Sequence, residues 1–230
     1  MIRFDGLAEA WDKCNAVLFD FDGVLADSEP FFRRSWNVAL EPWDHSISPE
    51  DYWLYWSSLG EGLEGEIRRH GLRNIDVDQA VSSQRKIYEG YCRRGDIPLF
   101  PRVRELLDRL SSEEGTSARS FCIASNTPSW IVKEILQHSH AHVPALVGGE
   151  GLRKKPAPDI FLLAASKLGV SPSDTLVFED SWKGIRAAEE GGFQSVLVLN
   201  DLNRGFDIKP GYIINGIGAI LALLDTADRN

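Results

Sequence analysis

Short apolar runs alternate with amphipathic stretches along most of this chain. The runs are rich in β-branched and aromatic residues, a composition typical of buried strands. They occupy residues 16–19, 121–124, 145–147, 175–178 and 195–199. Apolar residues at helical spacing predict helices between them, at residues 103–110, 131–136, 160–168 and 185–190. A final edge strand and helix are predicted at residues 211–214 and 217–224.

This alternation predicts an α/β fold, a Rossmann-like doubly wound parallel sheet with helices on both faces. Residues 28–96 break the pattern: they show no convincing strand, and they hold Trp36, Trp43, Trp53 and Trp56, four of the seven tryptophans. Helical spacing at 31–36 and 67–72 predicts a small helical insert with an aromatic core. We therefore expect a core of residues 1–27 and 97–230, a cap of residues 28–96, and a flexible patch at 111–117.

Charge and composition narrow the class of protein. The 230 residues carry a net charge of −9 with 26% charged residues, which disfavours nucleic acid or an anionic membrane as a partner. Neither a secretory leader nor an apolar run of membrane-spanning length is apparent. Three widely spaced cysteines fit neither a disulfide framework nor a zinc cluster. A cytoplasmic monomer is expected.

Carboxylates crowd the end of the first predicted strand. Asp20 and Asp22 are two positions apart, so their side chains point the same way if the strand continues through them. Two carboxylates held together repel, and a hard divalent cation such as Mg²⁺ resolves that conflict. Gly23 lets the chain turn sharply directly afterwards. Taken alone, the same residues are more typical of an acidic, solvated turn.

Three further motifs follow other apolar runs, and together they carry a resemblance. They are Ser125-Asn126-Thr127-Pro128, Lys155-Pro156-Ala157-Pro158-Asp159, and Glu179-Asp180-Ser181. With Asp20-Phe21-Asp22-Gly23 and Asp27, the chain resembles the haloacid dehalogenase (HAD) superfamily of phosphatases and phosphomutases. The resemblance spans about residues 16–199 and implies a Rossmann-like core with a helical cap inserted after the first motif.

The resemblance implies that Asp20 is the nucleophile and forms an aspartyl-phosphate. An ionised carboxylate at about 4 Å from a phosphate charge is repelled by on the order of 4 kcal/mol at an effective dielectric of about 20. Mg²⁺ held by Asp20, Asp22, Glu179 and Asp180 would reverse that repulsion. Asp22 would act as general acid and base and ligate the metal through its backbone carbonyl. Because the dehalogenase branch lacks this second aspartate, carbon–halogen cleavage is not expected.

Ser125 and Asn126 are the expected phosphate-binding residues at a strand-to-helix junction, where free amides favour an anion. Thr127 is the predicted N-cap of the following helix and Pro128 its first residue, an arrangement that is also typical of a capped turn without a ligand. Asp27 is expected to organise the first loop through hydrogen bonds.

Lys155 is expected to neutralise Asp20 and the transferring phosphoryl group, and so to serve both catalysis and phosphate binding. Lys154 is equivalent by charge alone, and the resemblance selects Lys155 because the family's lysine immediately precedes the proline. Glu179 and Asp180 are expected metal ligands, with helix capping by Asp180 or Ser181 as the open alternative.

The cap loop that would set substrate choice is expected at residues 59–65, where Glu61 and Glu64 face either the cleft or solvent. The cap cations that could instead hold a second phosphate are Arg33, Arg34, Arg85 and Lys86.

The sequence thus predicts a Mg²⁺-dependent phosphatase of a small sugar or polyol phosphate. A phosphomutase of the β-phosphoglucomutase type and a non-catalytic phosphometabolite-binding protein are the alternatives.

Overall fold

The structure is a computed structural model that describes residues 6–112, 119–204 and 208–227. Of the predicted flexible patch, residues 113–117 lie outside the described residues. The chain divides into two compact units. The sheet unit comprises Met1–Asp27 and Pro98–Asn230, and the helical unit comprises Ser28–Ile97.

The sheet unit contains six parallel strands, which confirms the predicted fold class. The strands are β1 (Ala16–Phe19), β2 (Ser120–Ala124), β3 (Leu146–Val147), β4 (Thr175–Glu179), β5 (Gln194–Val198) and β6 (Tyr212–Ile214). Their order is β3-β2-β1-β4-β5-β6, so β1 lies at the centre, between β2 and β4. Ligands of such sheets bind outside the carboxyl ends of the strands, near the point where the strand order reverses.

The helices of the sheet unit agree with the predicted ones to within a few residues, apart from one that was not predicted. They are α1 (Leu7–Lys13), α6 (Val103–Ser111), α7 (Ser129–His138), α8 (Asp159–Leu168), α9 (Trp182–Glu190) and α10 (Gly218–Ala227), with a 3₁₀ turn at Pro172–Asp174. Helix α1 was missed because it is only seven residues long, too short for a clear periodicity.

Alternate residues of the strands pack on opposite faces of the sheet. Leu18, Cys122 and Val177 belong to a buried cluster with residues of α8 and α9 on one face. The side chain of Phe19 points the other way and stacks on Phe178, with ring centroids 5.1 Å apart. Strands buried on both faces explain the continuous apolar runs in the sequence. All three cysteines are buried.

The helical unit is built around aromatic side chains, as predicted. Its elements are α2 (Glu29–Leu40), a 3₁₀ turn (Glu41–Trp43), α3 (Pro49–Asp51), a π-helical turn (Tyr52–Ser58), α4 (Gly62–His70) and α5 (Val77–Arg94). Trp36 and Trp56 pack in the core of this unit with ring centroids 4.9 Å apart.

One prediction for the helical unit was wrong, and one helix was missed. Residues 59–65 are not a continuous loop, because α4 begins at Gly62. Helix α5, with 18 residues the longest of the described helices, was not predicted. It buries only a narrow stripe of mixed residues, Ala80, Gln84, Tyr88 and Cys92, which does not register as an apolar periodicity. No described helix in either unit is long and apolar enough to cross a lipid bilayer.

Candidate active site

The predicted site residues of the sheet unit follow the carboxyl ends of its three central strands. Asp20 lies directly after β1, Ser125 directly after β2, and Glu179 is the last residue of β4. The strand register pairs Phe19 with Ile123 on one side and with Phe178 on the other. Asp20 continues this pairing, since its backbone N–H donates to the carbonyl of Phe178 at 2.9 Å. Parallel pairing therefore brings together residues that are more than 150 positions apart.

Lys155 connects two of the carboxylates. Its Nζ donates to Asp20 Oδ1 at 2.7 Å, to Glu179 Oε1 at 2.7 Å and to the carbonyl of Ala124 at 3.1 Å. The ammonium group is almost fully buried, so its charge is satisfied by these three oxygens. The neighbouring Lys154 is exposed. The structure thus separates two lysines that are equivalent by charge alone.

Burial controls the protonation of this cluster. Burial, together with the nearby carboxylates of Glu179 and Asp22, raises the pKa of Asp20 from its ordinary 3.8 to about 7, against the lowering effect of Lys155. Burial by itself would lower the pKa of Lys155, but the carboxylates of Asp20 and Glu179 outweigh it and raise that pKa above its usual range. Lys155 is therefore a permanent cation at neutral pH.

The donor set fits a hard divalent cation. Asp20, Glu179 and Asp180 each place a carboxylate oxygen within 4.8 Å of the others, and all three residues are buried. When ionised they carry three negative charges, of which Lys155 compensates one. After burial, the charge of Glu179 is the next largest cause of the raised pKa of Asp20. Oxygen ligands and excess negative charge are what Mg²⁺ requires.

Glu179 orders the loop that carries Asp180. Its Oε2 accepts hydrogen bonds from the backbone N–H of Asp180 at 3.0 Å, and from the N–H and hydroxyl of Ser181 at 3.1 and 3.0 Å. Ser181 Oγ in turn accepts from the N–H of Gly184 at 3.1 Å and caps α9. Of the two capping candidates, the cap is Ser181, so Asp180 is not used for that purpose.

Asp22 is held from the end of the neighbouring strand. Its Oδ2 accepts from the hydroxyls of Ser125 at 3.0 Å and Thr127 at 2.7 Å. The predicted N-cap role of Thr127 was wrong, because α7 begins at Ser129 with Pro128 as its cap residue and without a side-chain cap. The Thr127 hydroxyl instead donates to Asp22.

Asn126 contacts the loop that carries Lys155. Its Oδ1 accepts from the backbone N–H of Lys155 at 3.2 Å, which ties the lysine loop to the end of β2. Gly149 approaches Asn126 so closely that a Cβ on it would lie 2.3 Å from the Asn126 carbonyl oxygen. The backbone near Asn126 is therefore enclosed by neighbouring loops.

Two asparagines after β5 contact the site, and the sequence analysis did not identify them. Asn200 Nδ2 donates to Asp180 Oδ2 and to the carbonyl of Gly23, both at 3.0 Å, and so joins the two acidic loops. Asn203, which is buried, donates to the carbonyl of Asp180 at 3.0 Å. The only signal for them was their place after a predicted strand, the same position as the other motifs.

Asp27 forms a hydrogen bond through its backbone. Its backbone N–H donates to the carbonyl of Pro98 at 3.0 Å, and its carboxylate forms no hydrogen bond to any described residue. Burial raises the pKa of this carboxyl group, as does the charge of Asp201. The contribution of Asp27 to the loop therefore comes through its backbone.

The fold and the cluster together define an α/β protein of the Rossmann-like class with a lysine–carboxylate site at the carboxyl edge of its sheet. The model of the haloacid dehalogenase-like hydrolases matches residues 14–192, and the chain belongs to this hydrolase family.

Named relatives extend this result. The chain is 31% identical over 210 residues to Protein CbbY of Rhodobacter capsulatus, covering 86% of this chain and 90% of the relative. It is 30% identical over 195 residues to a probable pseudouridine-5'-phosphatase of Drosophila melanogaster, covering 81% of this chain and 82% of the relative. A crystal structure of CbbY from Rhodobacter sphaeroides in complex with phosphate shares the fold, with a TM-score of 0.76 at 23% sequence identity. The match covers 92% of this chain and 99% of the CbbY chain.

Proposed function

We propose that this protein is a phosphatase that hydrolyses a small phosphomonoester of the sugar or polyol phosphate class. The observation that carries the proposal is the placement of Asp20, whose carboxylate is buried beside a fixed ammonium group and two further carboxylates. Family membership supports hydrolysis. Relatives named as a pseudouridine-5'-phosphatase and as a CbbY complex with phosphate support phosphate ester chemistry.

In the first step, an oxygen of Asp20 attacks phosphorus and the bond from phosphorus to the ester oxygen breaks. Asp22 in its protonated form gives its proton to the leaving oxygen, so the alcohol departs neutral. The product on the enzyme is an aspartyl-phosphate at Asp20. Lys155 stays in contact with the Asp20 carboxyl group and offers positive charge to the transferring phosphoryl group.

In the second step, water attacks the phosphorus of the aspartyl-phosphate and gives a proton to Asp22. The bond from phosphorus to Asp20 breaks, which releases inorganic phosphate and restores both carboxyl groups. Ser125 and Thr127 keep Asp22 in one orientation through both steps. Ser125 and Asn126 remain the proposed phosphate-binding residues, since they lie where β2 leads into α7.

We propose Mg²⁺ as the cofactor, held by Asp20, Asp180, Glu179 and the backbone carbonyl of Asp22. When bound, the ion would favour the ionised form of Asp20 and reduce its repulsion from the phosphate. Glu179 has a second task in this scheme, because its oxygens also hold Lys155 and the Asp180 loop. The cytoplasmic location and the monomeric state stay predictions from the sequence, and gel filtration tests the second of them.

Hydrolysis of p-nitrophenyl phosphate tests the proposal, with metal-free protein and with added Mg²⁺. Turnover is expected only with the metal, and Asp20→Asn should lower it by about a thousandfold or more. Asp12→Asn, an exposed aspartate on α1, is the matched control and should keep full activity. Undiminished turnover by Asp20→Asn would refute the nucleophile, and no turnover with any metal would favour a binding protein.

Product analysis separates hydrolysis from isomerisation. With a panel of sugar and polyol phosphates we expect released inorganic phosphate, and acid-quenched protein should carry one phosphoryl group by mass spectrometry. An isomerised sugar phosphate without phosphate release would instead identify a phosphomutase.

A further inference from the structure

The helical unit contains a second group of side chains of the types that can bind a metal ion. His45, Glu66 and His70 each place one ligand atom within 4.8 Å of the other two. Glu66 and His70 are four residues apart on α4 and therefore share one face of that helix. His45 comes from the loop between the 3₁₀ turn and α3. The group is independent of the residues assigned to phosphate ester hydrolysis.

Both imidazoles face the same carboxylate oxygen. Nε2 of His45 lies 2.8 Å from Glu66 Oε1, and Nε2 of His70 lies 3.3 Å from it. The two rings are tilted, with centroids 5.0 Å apart. Tetrahedral ligands of Zn²⁺ with bonds of about 2.0–2.1 Å are about 3.3 Å from one another. The His70–Glu66 pair already has this spacing, and the His45–Glu66 pair needs to open by about half an ångström.

Surrounding groups fix the orientation of the Glu66 carboxylate. The side chain is fully buried, and its other oxygen, Oε2, accepts from Trp56 Nε1 at 2.9 Å and from the guanidinium of Arg69. Such outer contacts are what orient a carboxylate ligand toward a metal. Arg69 also pairs with Glu61, so the two carboxylates share its charge and Glu66 retains negative charge for a cation.

The loop that carries His45 is also held in place. Two residues beyond His45, the backbone N–H of Ile47 donates to Asn37 Oδ1 at 2.8 Å. The Ile47 carbonyl accepts from Arg33 at 3.0 Å and from Asn37 Nδ2 at 3.2 Å. These contacts join the loop to α2, so His45 does not depend on Glu66 alone for its position.

The three side chains differ in their exposure to solvent, and the difference leaves one side of the group open for a metal ion to enter. Glu66 is 1% exposed and His45 11%, whereas His70 is 40% exposed. The site therefore opens to solvent on the His70 side, where a water molecule can complete the coordination. Three protein ligands and a water are a common set for zinc.

We propose that His45, Glu66 and His70 form a second metal site, specific for Zn²⁺ or a similar first-row transition ion. Two imidazoles and one carboxylate select such an ion over Mg²⁺, which prefers oxygen ligands. The bound ion would link the His45 loop to α4 and stabilise the helical unit.

Calorimetric titration of metal-free protein with Zn²⁺, in the presence of excess Mg²⁺, tests the proposal. His70→Gln is the main variant, because the side chain is partly exposed and glutamine keeps a hydrogen-bond donor. His138→Gln is the matched control, since His138 also lies one helical turn from a glutamate, Glu134, at 3.7 Å. His45→Gln removes the ligand supplied by the loop.

We expect one Zn²⁺ equivalent whose affinity falls by at least about tenfold in His70→Gln and His45→Gln and is unchanged in His138→Gln. Zn²⁺ should also raise the unfolding temperature of the wild type more than that of His70→Gln, because an ion that binds only the folded state stabilises it. Circular dichroism confirms that each variant folds. Equal Zn²⁺ binding by the wild type and His70→Gln, or none by the wild type, would overturn the proposal.

Discussion

Gly184 touches the carboxylate of Glu179 so closely that a Cβ on Gly184 would lie 1.8 Å from its Cδ and 1.9 Å from Oε1. Glu179 is fully buried and connects Lys155 to the Asp180 loop. The absence of a side chain in the first turn of α9 is therefore what lets this carboxylate occupy its position.

Gly184→Ala should lower both stability and activity. Alanine is ordinarily favoured over glycine in a helix by about 1 kcal/mol, but here the new methyl group displaces the Glu179 carboxylate. We expect a loss of about 1–3 kcal/mol in the free energy of unfolding, measured with urea. Gly218→Ala, at the start of α10 with no atom near the added Cβ, is the control and should be neutral or slightly stabilising. Equal behaviour of the two variants would contradict the steric argument.

Lys155→Met should be strongly destabilising, since it leaves two buried carboxylates without their cation. Breaking a buried ion pair from one side costs about 3–5 kcal/mol, to be read from urea unfolding of metal-free protein. Lys154→Met changes the neighbouring exposed lysine and should stay within about 0.5 kcal/mol of the wild type. Similar losses in both variants would show that the buried contacts of Lys155 do not matter for stability.

Thr127→Val should lower kcat, because it removes the hydroxyl that donates to Asp22 at 2.7 Å while keeping the side-chain volume. A lost hydrogen bond to a charged group corresponds to about 1.5–3 kcal/mol, or about a tenfold or larger decrease in kcat. Thr127→Ser keeps the hydroxyl and should retain most of the activity. A decrease in the serine variant as large as in the valine variant would argue against this contact.

Asn200→Ala should weaken Mg²⁺ binding by about 10–100-fold, because Asn200 holds Asp180 Oδ2 and the Gly23 carbonyl together. The measurement is the Mg²⁺ concentration that gives half-maximal phosphatase activity. Asn215→Ala, which changes an exposed asparagine that accepts from Arg204, is the control. An unchanged Mg²⁺ requirement in Asn200→Ala would remove Asn200 from the positioning of Asp180.

Mg²⁺ affinity should rise with pH through the pKa of Asp20. This pKa is raised to about 7 in the metal-free protein by burial and by Glu179 and Asp22. Below that pH a proton must leave before the carboxylate can hold the cation, whereas above it the carboxylate is already ionised. Titration calorimetry should show about a tenfold tighter binding at about pH 8 than at about pH 6.

Asp20→Asn is the control for this pH dependence. Its Mg²⁺ affinity should be lower at every pH and nearly flat between about pH 6 and about pH 8, because the titrating group is gone. A wild-type affinity that does not change over this range would show that Asp20 has its ordinary pKa.

The alternation of strands and helices could be predicted from the sequence because each strand of a parallel sheet is buried on both faces. Residues 16–19 and 176–178 read as continuous apolar runs for this reason, and the motifs that follow them mark the carboxyl edge. Where the hydrophobic signal was weak, as along Val77–Arg94, the prediction failed. Thr127 shows a second limit of local pattern. Its position before a predicted helix indicated an N-cap, whereas in the structure its hydroxyl donates a hydrogen bond to Asp22.

Local pattern by itself determined the α/β class and the positions of the acidic motifs, because burial and strand period leave their record within a few neighbouring residues. The roles expected for the aspartates came from the family resemblance. Only the tertiary structure decided that Lys155 lies 2.7 Å from both Asp20 and Glu179, that Asn200 reaches Asp180, and that His45 meets Glu66. These contacts join distant segments, and their distances depend on how strands register and loops close. No short stretch of sequence contains that information.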